Sequence, residues 1–297
     1  MSDQLVIDTP RLDESTGARA TSRPVRRRFS PSRWGGRASV AVSGVVVLLV
    51  IGWAAVPSLF ASGDPLTGTP RDKLQPPSAS HWFGTDNIGR DVYTRVVHGA
   101  QLSLTATLLA VGLALVVGSF IGLLAGAIGG AVDALLMRIV DVLLSIPLLL
   151  MSLALVTALG FGTVNVAIAV GVTMVASFAR VMRSEVLRVR RAPYVEAAFA
   201  VGSRWPRVLV QHILRNASAP VIGLAAVQFG LAVLAVSALS FLGYGAKPPT
   251  PEWGSLVSEG RNYLATAWWL TTVPGLVIVA VVLSAHRLGH AVGERRS

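Results

Sequence analysis

The fold class predicted by this sequence is all-α: a polytopic bundle of six membrane-spanning helices with both termini in the cytoplasm. The first observation behind it is composition. Of 297 residues, 53% are hydrophobic and 14% charged, whereas a soluble domain carries about a quarter charged; mean hydropathy is +0.62. The second is segregation: several windows of about twenty residues are almost free of charge, long enough to cross the hydrocarbon core of a bilayer. The third is the placement of the charge. Residues 1–38 hold eight Arg against four acids, and residues 180–216 eight Arg against two. Segments 61–101 and 243–267 balance to zero, 127–142 stands at minus one, and the tail beyond 286 at plus two. A basic excess in alternate segments is the positive-inside pattern. It reads the net charge of +11 as a topology signal, so lipid rather than nucleic acid is the expected surrounding. The absence of cysteine excludes disulfides and thiolate chemistry.

Residues 1–38, with Pro10, Gly17, Pro24 and Pro31 among arginines, read as a disordered basic cytoplasmic tail. The tail is too long and too acid-containing for a simple signal peptide, so the apolar run behind it, about 39–60, is read as a retained first span. It opens a six-span domain over 39–286. Residues 61–101 form an external loop with turn signals in SGDPLTGTP and QPPSAS. Within that loop, Asp86, Arg90, Asp91 and Arg95 lie close enough in sequence to pair. The plain reading is a surface loop held by local salt bridges; the sharper one is a segment packed at the outer mouth of a pathway. The second span covers about 102–127, where Gly122 and Gly126 make a Gly-x-x-x-Gly face for close helix approach.

The third span is expected from about Val132 to Ala158. Its start is charged, with Arg138 three residues before Asp141, a spacing that suits an ion pair on one face, and Pro147 invites a bend at depth. After a short outer turn at Gly160 and Gly162, the fourth span covers about 164–179. The polar, basic segment 180–216 follows as a cytoplasmic prong. Within it Pro193 suits a first helical turn, Gly202 can end that helix, and Ser203 can cap a second one through Trp205, Val208 and His212. Val195, Ala198, Phe199 and Trp205 have no large soluble domain of their own to pack against, so the prong needs a partner. The fifth span covers about 217–242, residues 243–267 are external, and the sixth, 268–286, starts at Trp268 and Trp269, where indoles favour the interface. Residues 287–297 form a cytoplasmic tail.

No residue constellation supports catalysis. The histidines are dispersed; His286 and His290 lie four apart, but with no acid or cysteine placed beside them the interfacial reading outweighs a metal pair. No glycine-rich loop ends in Gly-Lys-Ser or Gly-Lys-Thr, so the chain is not expected to bind or hydrolyse ATP, and no cofactor is predicted. Secondary transport would suggest an inverted repeat, yet spans one to three show no echo in four to six. A basic prong that docks on a separate ATPase accounts for both features.

The prong also carries a resemblance. Glu196-Ala197-Ala198, three residues, Gly202, then nine residues to His212 resembles the EAA loop of binding-protein-dependent ABC importer permeases. FGTDNIGRD at 83–91, DALLMRIVD at 133–141, LSFLGYG at 239–245 and PPTPEWG at 248–254 are similar to the C-type permease subunit of dipeptide and oligopeptide importers, a group that includes nickel and glutathione permeases. The resemblance implies a type I importer fold in a bacterial inner membrane. It implies import of short peptides by alternating access, or of nickel, glutathione or another small solute; a stand-alone channel or secondary carrier is the reading outside that class. The partners it implies are a second similar permease, two cytoplasmic ATPase domains that bind ATP and magnesium, and an extracytoplasmic solute-binding protein. Carried over, Glu196 anchors the ATPase contact, Ala197 and Ala198 allow close approach, and Gly202 makes the turn. Asp86, Arg90 and Asp91 are the candidates for the external mouth. The sequence departs from the family at Arg215, which follows Ile213-Leu214 where the family has proline. It departs again at its C-terminal end, with His286, Gly289 and His290 and no Arg-Asp-Pro.

Overall fold

Lipid offers no hydrogen-bond partner to a peptide group, so each long apolar window must close its bonds within itself. In the computed structural model, which describes residues 33–294 and the side chains of 38–289 and 291, such windows are helices throughout. Most of the predicted N-terminal tail, the side chain of His290, and Arg295 and Arg296 lie outside the described residues. The elements in order are α1 (Arg33–Ala55) and the short α2 (Pro57–Phe60), α3 (Val92–Ile128), α4 (Gly130–Ser145), α5 (Leu148–Leu159) and α6 (Thr163–Arg190). Then come α7 (Pro193–Ala200), α8 (Trp205–Val208), a π-helical turn (Leu209–Leu214), α9 (Arg215–Phe241), α10 (Trp253–Gly260) and α11 (Trp269–Glu294).

Several helices outrun the predicted spans. α3 starts at Val92 because Asp91 caps it, accepting from the Thr94 N–H at 2.8 Å; the capping role carries no sign in the spacing that suggested a salt-bridged loop. α6 continues to Arg190, well past the apolar window that defines the fourth span.

The third span departs most from expectation. It is two helices, α4 and α5, bent by 96°. Pro147 causes the break: it lacks an N–H and its ring clashes with the carbonyl four residues back, and it drives Ile146 to extended geometry (φ −91°, ψ 130°). The sequence located the bend without its size.

By length and composition, five helical stretches among the described residues can cross a membrane: Ala38–Ala55, Val92–Ile128, Thr163–Arg190, Trp205–Phe241 and Trp269–Gly289. The packing of α3 on α6 decides the status of α4 and α5. A Cβ at Gly118 would meet Val175 and Phe178, at Gly122 Ala179 and Met182, and at Gly126 Val186. Both series ascend together, so α3 and α6 run parallel. The chain between them must therefore return across the bilayer, and the bent pair is that crossing.

Two large apolar cores hold the bundle, with a smaller cluster of Val140, Ala176 and Ala179 joining α4 to α6. The inner one packs α3, α5, α6 and α9 through Ala110, Ala114, Val156, Val170, Phe178 and Val236. The outer one gathers Trp53, Val96, Val97, Trp253, Leu256 and Trp269. Trp253 is fully buried, and its Nε1 donates to the Val96 carbonyl at 2.9 Å while its N–H donates to Ser103 Oγ at 3.0 Å. Trp269 Nε1 donates to the Thr85 carbonyl at 3.1 Å. Segments 61–91 and 243–267 are thereby folded onto the helix ends as a cap. The positive-inside reading is checked by reporter fusions: one after Asp91 is expected outside and one after Arg191 inside. The reverse pattern overturns the orientation.

Candidate functional site

The inner loop is built by local rules. Arg191 and Ala192 leave helical geometry, Ala192 in the extended form that a following proline demands (φ −76°, ψ 139°). Pro193 then opens α7. At its end, the Ser203 N–H donates to the Ala198 carbonyl (3.0 Å) and the Gly202 N–H to the Phe199 carbonyl (2.9 Å), the Schellman pattern. Gly202 takes the left-handed backbone, φ +83°, that this closure requires.

Ser203 does not cap the next helix as expected. Its backbone closes α7, and Arg204 occupies the N-cap of α8 with no side-chain cap bond. Pro206, at the second helical position, has no N–H to satisfy there. From Trp205 the chain runs through the π-helical turn into α9 without a break. Arg215, in place of the family proline, sits in αR geometry (φ −59°, ψ −38°) and lets the helix continue.

Burial divides the loop into an anchored and a presented face. Val195, Val208 and Ile213 are buried together with Val186 and Val189 of α6, so the prong stands on an apolar seam. Val195 thus finds its partners within the chain, contrary to the sequence expectation, and Ala198 packs partly against the same seam. The outer face holds Glu196 and Ala197, both exposed, beside Tyr194, Phe199 and Trp205, with Val201 81% exposed. Phe199 and Trp205 stack on one another, 5.8 Å between ring centres at 10°. The exposed aromatic residues of this face, Tyr194, Phe199 and Trp205, are of the type enriched where proteins meet.

Two ion pairs tie α4 to α6 near the inner end. Arg183 holds Asp133 bidentately, Nε to Oδ1 at 2.5 Å and Nη2 to Oδ2 at 2.6 Å. Asp141 is bound by Arg180 at 2.5 Å, which corrects the expected Arg138–Asp141 pair. α4 packs on α6, so a basic side chain from the neighbouring helix meets this carboxylate, and Arg138 is exposed.

At the outer end Asp86 and Arg90 come together as predicted, Nε to Oδ2 at 2.6 Å. Arg95 joins them, donating to Asp86 (3.0 Å) and Glu259 (2.7 Å), and Arg90 also reaches Glu259 (3.2 Å). All but Glu259 are buried. Asp91 stands apart: besides capping α3 it meets His81 Nδ1 at 3.0 Å. Glu259 lies 164 residues from Arg95, and no local signal points to it. Glu252 also escapes sequence reasoning. It is 1% exposed and accepts from Ser240 Oγ (2.6 Å), the Ala246 N–H (2.7 Å) and Thr163 Oγ1 (3.3 Å). Three neutral donors satisfy its carboxylate and join the outer ends of α6 and α9; its place in the PPTPEWG stretch marks the segment but not this role. Among the described residues no group of three or more His, Cys, Asp or Glu could hold a metal ion.

Comparison with known proteins places these features. Residues 118–297 match the family described as binding-protein-dependent transport system inner membrane component. The chain is 40% identical over 251 residues to the dipeptide transport system permease protein DppC of Alkalihalophilus pseudofirmus, covering 84% of this chain and 83% of the relative. It is 37% identical over 286 residues to the probable D,D-dipeptide transport system permease protein DdpC of Escherichia coli K12, covering 95% and 96%. In fold it is similar to a solved structure of an amino acid ABC transporter with histidines. That match has a TM-score of 0.54 at 17% identity and covers 69% of this chain and 95% of the other.

Proposed function

This chain belongs to the family of binding-protein-dependent transport system inner membrane components, and we propose that it is the permease subunit of an ATP-driven importer of short peptides. It is a multi-pass protein of the bacterial inner membrane. The observation that carries the reading is the presented face of α7: Glu196 and Ala197 exposed at the inner end of the bundle, on a helix fastened from behind by Val195. In this reading that face meets a cytoplasmic ATPase, as the resemblance of Glu196-Ala197-Ala198 and Gly202 to the EAA loop implies. The two relatives named above, both dipeptide permeases by name, support peptides as the substrate class.

In this proposal ATP-driven closure of two ATPase domains draws on α7 and, through the apolar seam, on α6 and α9. The bundle and a second, similar permease rock between outward and inward access, and a peptide-binding protein delivers substrate to the outer cap. Such a change requires the ATPase contact to differ in free energy between the two states. The test is purification of the tagged protein from its native membrane in mild detergent, with identification of co-eluting chains and assay of nucleotide turnover. A second multispanning chain with ATPase subunits is expected, stimulated by a receptor loaded with a dipeptide. A stable lone protein without nucleotide turnover overturns the reading and favours a carrier.

A further inference from the structure

We propose that Arg190 ties the inner loop to the inner end of α3, so that α3 carries loop motion to the outer ion-pair cluster. The inference rests on the docking role proposed for α7. Arg190 is the last residue of α6, and its guanidinium contacts two other elements. On one side Nη1 donates to the Gly126 carbonyl at 2.6 Å and the Ala127 carbonyl at 3.1 Å. Both belong to the final turn of α3, where helical acceptors lack intrahelical partners and the helix end is partly negative. On the other side its Cζ lies 5.3 Å from the centre of the Trp205 ring, within cation–π range. Trp205 stacks on Phe199 of α7. A continuous series of contacts thus runs from the presented helix, through Phe199, Trp205 and Arg190, to the inner end of α3.

The opposite end of α3 holds Arg95, buried in its pairs with Asp86 and Glu259. Between the two ends lies one helix of 37 residues with no proline, about 55 Å long at 1.5 Å per residue. The glycine face of α3 packs closely on α6, with Phe178, Met182 and Val186 set against Gly118, Gly122 and Gly126, so the helix moves as a rigid, closely packed rod. The two directional hydrogen bonds from Arg190 add a tie at its inner end. A displacement of α7 therefore reaches α3 as an axial push or pull, and the outer cluster is where it is delivered. Arg190 is a positioning residue in this scheme. It lies behind the presented face and acts through Trp205 and the α3 carbonyls.

The experiment uses the assembled transporter in proteoliposomes with a dipeptide-loaded receptor, and reads ATP hydrolysed per peptide imported. For Arg190→Ala the ATPase subunits are expected to co-elute as in the unaltered complex, while the ratio rises about tenfold. Arg190→Lys keeps the charge and donors but loses the planar face, and an intermediate ratio is expected. Trp205→Leu is expected to raise the ratio too, and the double variant Arg190→Ala with Trp205→Leu to do no worse than the more severe single one, because both interrupt the same series of contacts. An unchanged ratio for Arg190→Ala, or additive effects in the double variant, overturns the proposal. Loss of ATPase co-elution in Arg190→Ala alone also overturns it, by making Arg190 a docking residue. Should Arg190→Ala fail to insert, an unchanged ratio in Trp205→Leu overturns it instead. Failure of the unaltered protein to recruit any ATPase sinks the proposed function itself and is distinct from all of these.

Discussion

Replacing Glu196 with lysine is expected to abolish receptor-dependent peptide uptake and release the ATPase subunits, while the permease still inserts and folds. Glu196 lies in the first turn of α7, exposed, and its side chain hydrogen-bonds no described residue. Its loss therefore removes no side-chain hydrogen bond within the chain. A surface substitution of this kind shifts stability by about 0.5 kcal/mol or less, although lysine in the first turn loses the favourable pairing of an acid with the helix dipole. At a docked interface the cost is larger: breaking a buried charged contact there costs about 2 kcal/mol or more, which is about thirtyfold in affinity. The measurement is co-elution of the ATPase with the tagged variant, alongside dipeptide uptake in the same membranes. Unaltered uptake removes Glu196 from the coupling surface. Lost uptake with the ATPase still bound at full strength shifts its role from docking to transmission.

The sequence revealed most where a single local cause suffices. Gly202 sits in its positive-φ turn because only the chain's immediate geometry matters there, and Pro193 opens α7 for the same reason. Pro147 marked the break between α4 and α5, but the 96° angle belongs to a bent pair whose two halves both pack on α6, a tertiary contact that no local signal specifies. Ion pairs show the same divide. Asp86 with Arg90, four apart, was legible; Arg95 with Glu259 and Asp133 with Arg183 join residues far apart in the chain. Spacing along one helix favoured Arg138 for Asp141, and tertiary packing put Arg180 there instead. The residues proposed to dock were readable because a resemblance supplied their meaning. Arg190, whose contacts are two backbone carbonyls and a ring from other segments, carried no such mark.

The second large effect is expected at Gly122, on the surface that joins α3 to α6. A Cβ placed there would fall 2.3 Å from the Ala179 carbonyl oxygen and 2.8 Å from the Met182 Cβ. The obstacle is helix backbone, which cannot rotate aside as a flexible side chain does, so the two helices must separate. Separation also parts the Gly118 and Gly126 contacts, because all three glycines lie on one stripe of α3. Overpacking an ordinary core costs about 1–3 kcal/mol, and the spread of the disturbance along the stripe puts Gly122→Ala at the upper end and Gly122→Leu beyond it. In lipid no hydrophobic burial from water compensates, since helices associate there through close packing. Gly112 lies on the same helix, and a Cβ at that position would have nothing within 4 Å, so Gly112→Ala is the matched comparison. Thermal unfolding of the purified transporter is expected to leave Gly112→Ala at the unaltered midpoint, to lower it clearly for Gly122→Ala, and to yield no folded protein for Gly122→Leu. Equal stability of Gly122→Leu and the unaltered protein would mean that the parallel pairing of α3 with α6, and with it the return crossing assigned to α4 and α5, is wrong.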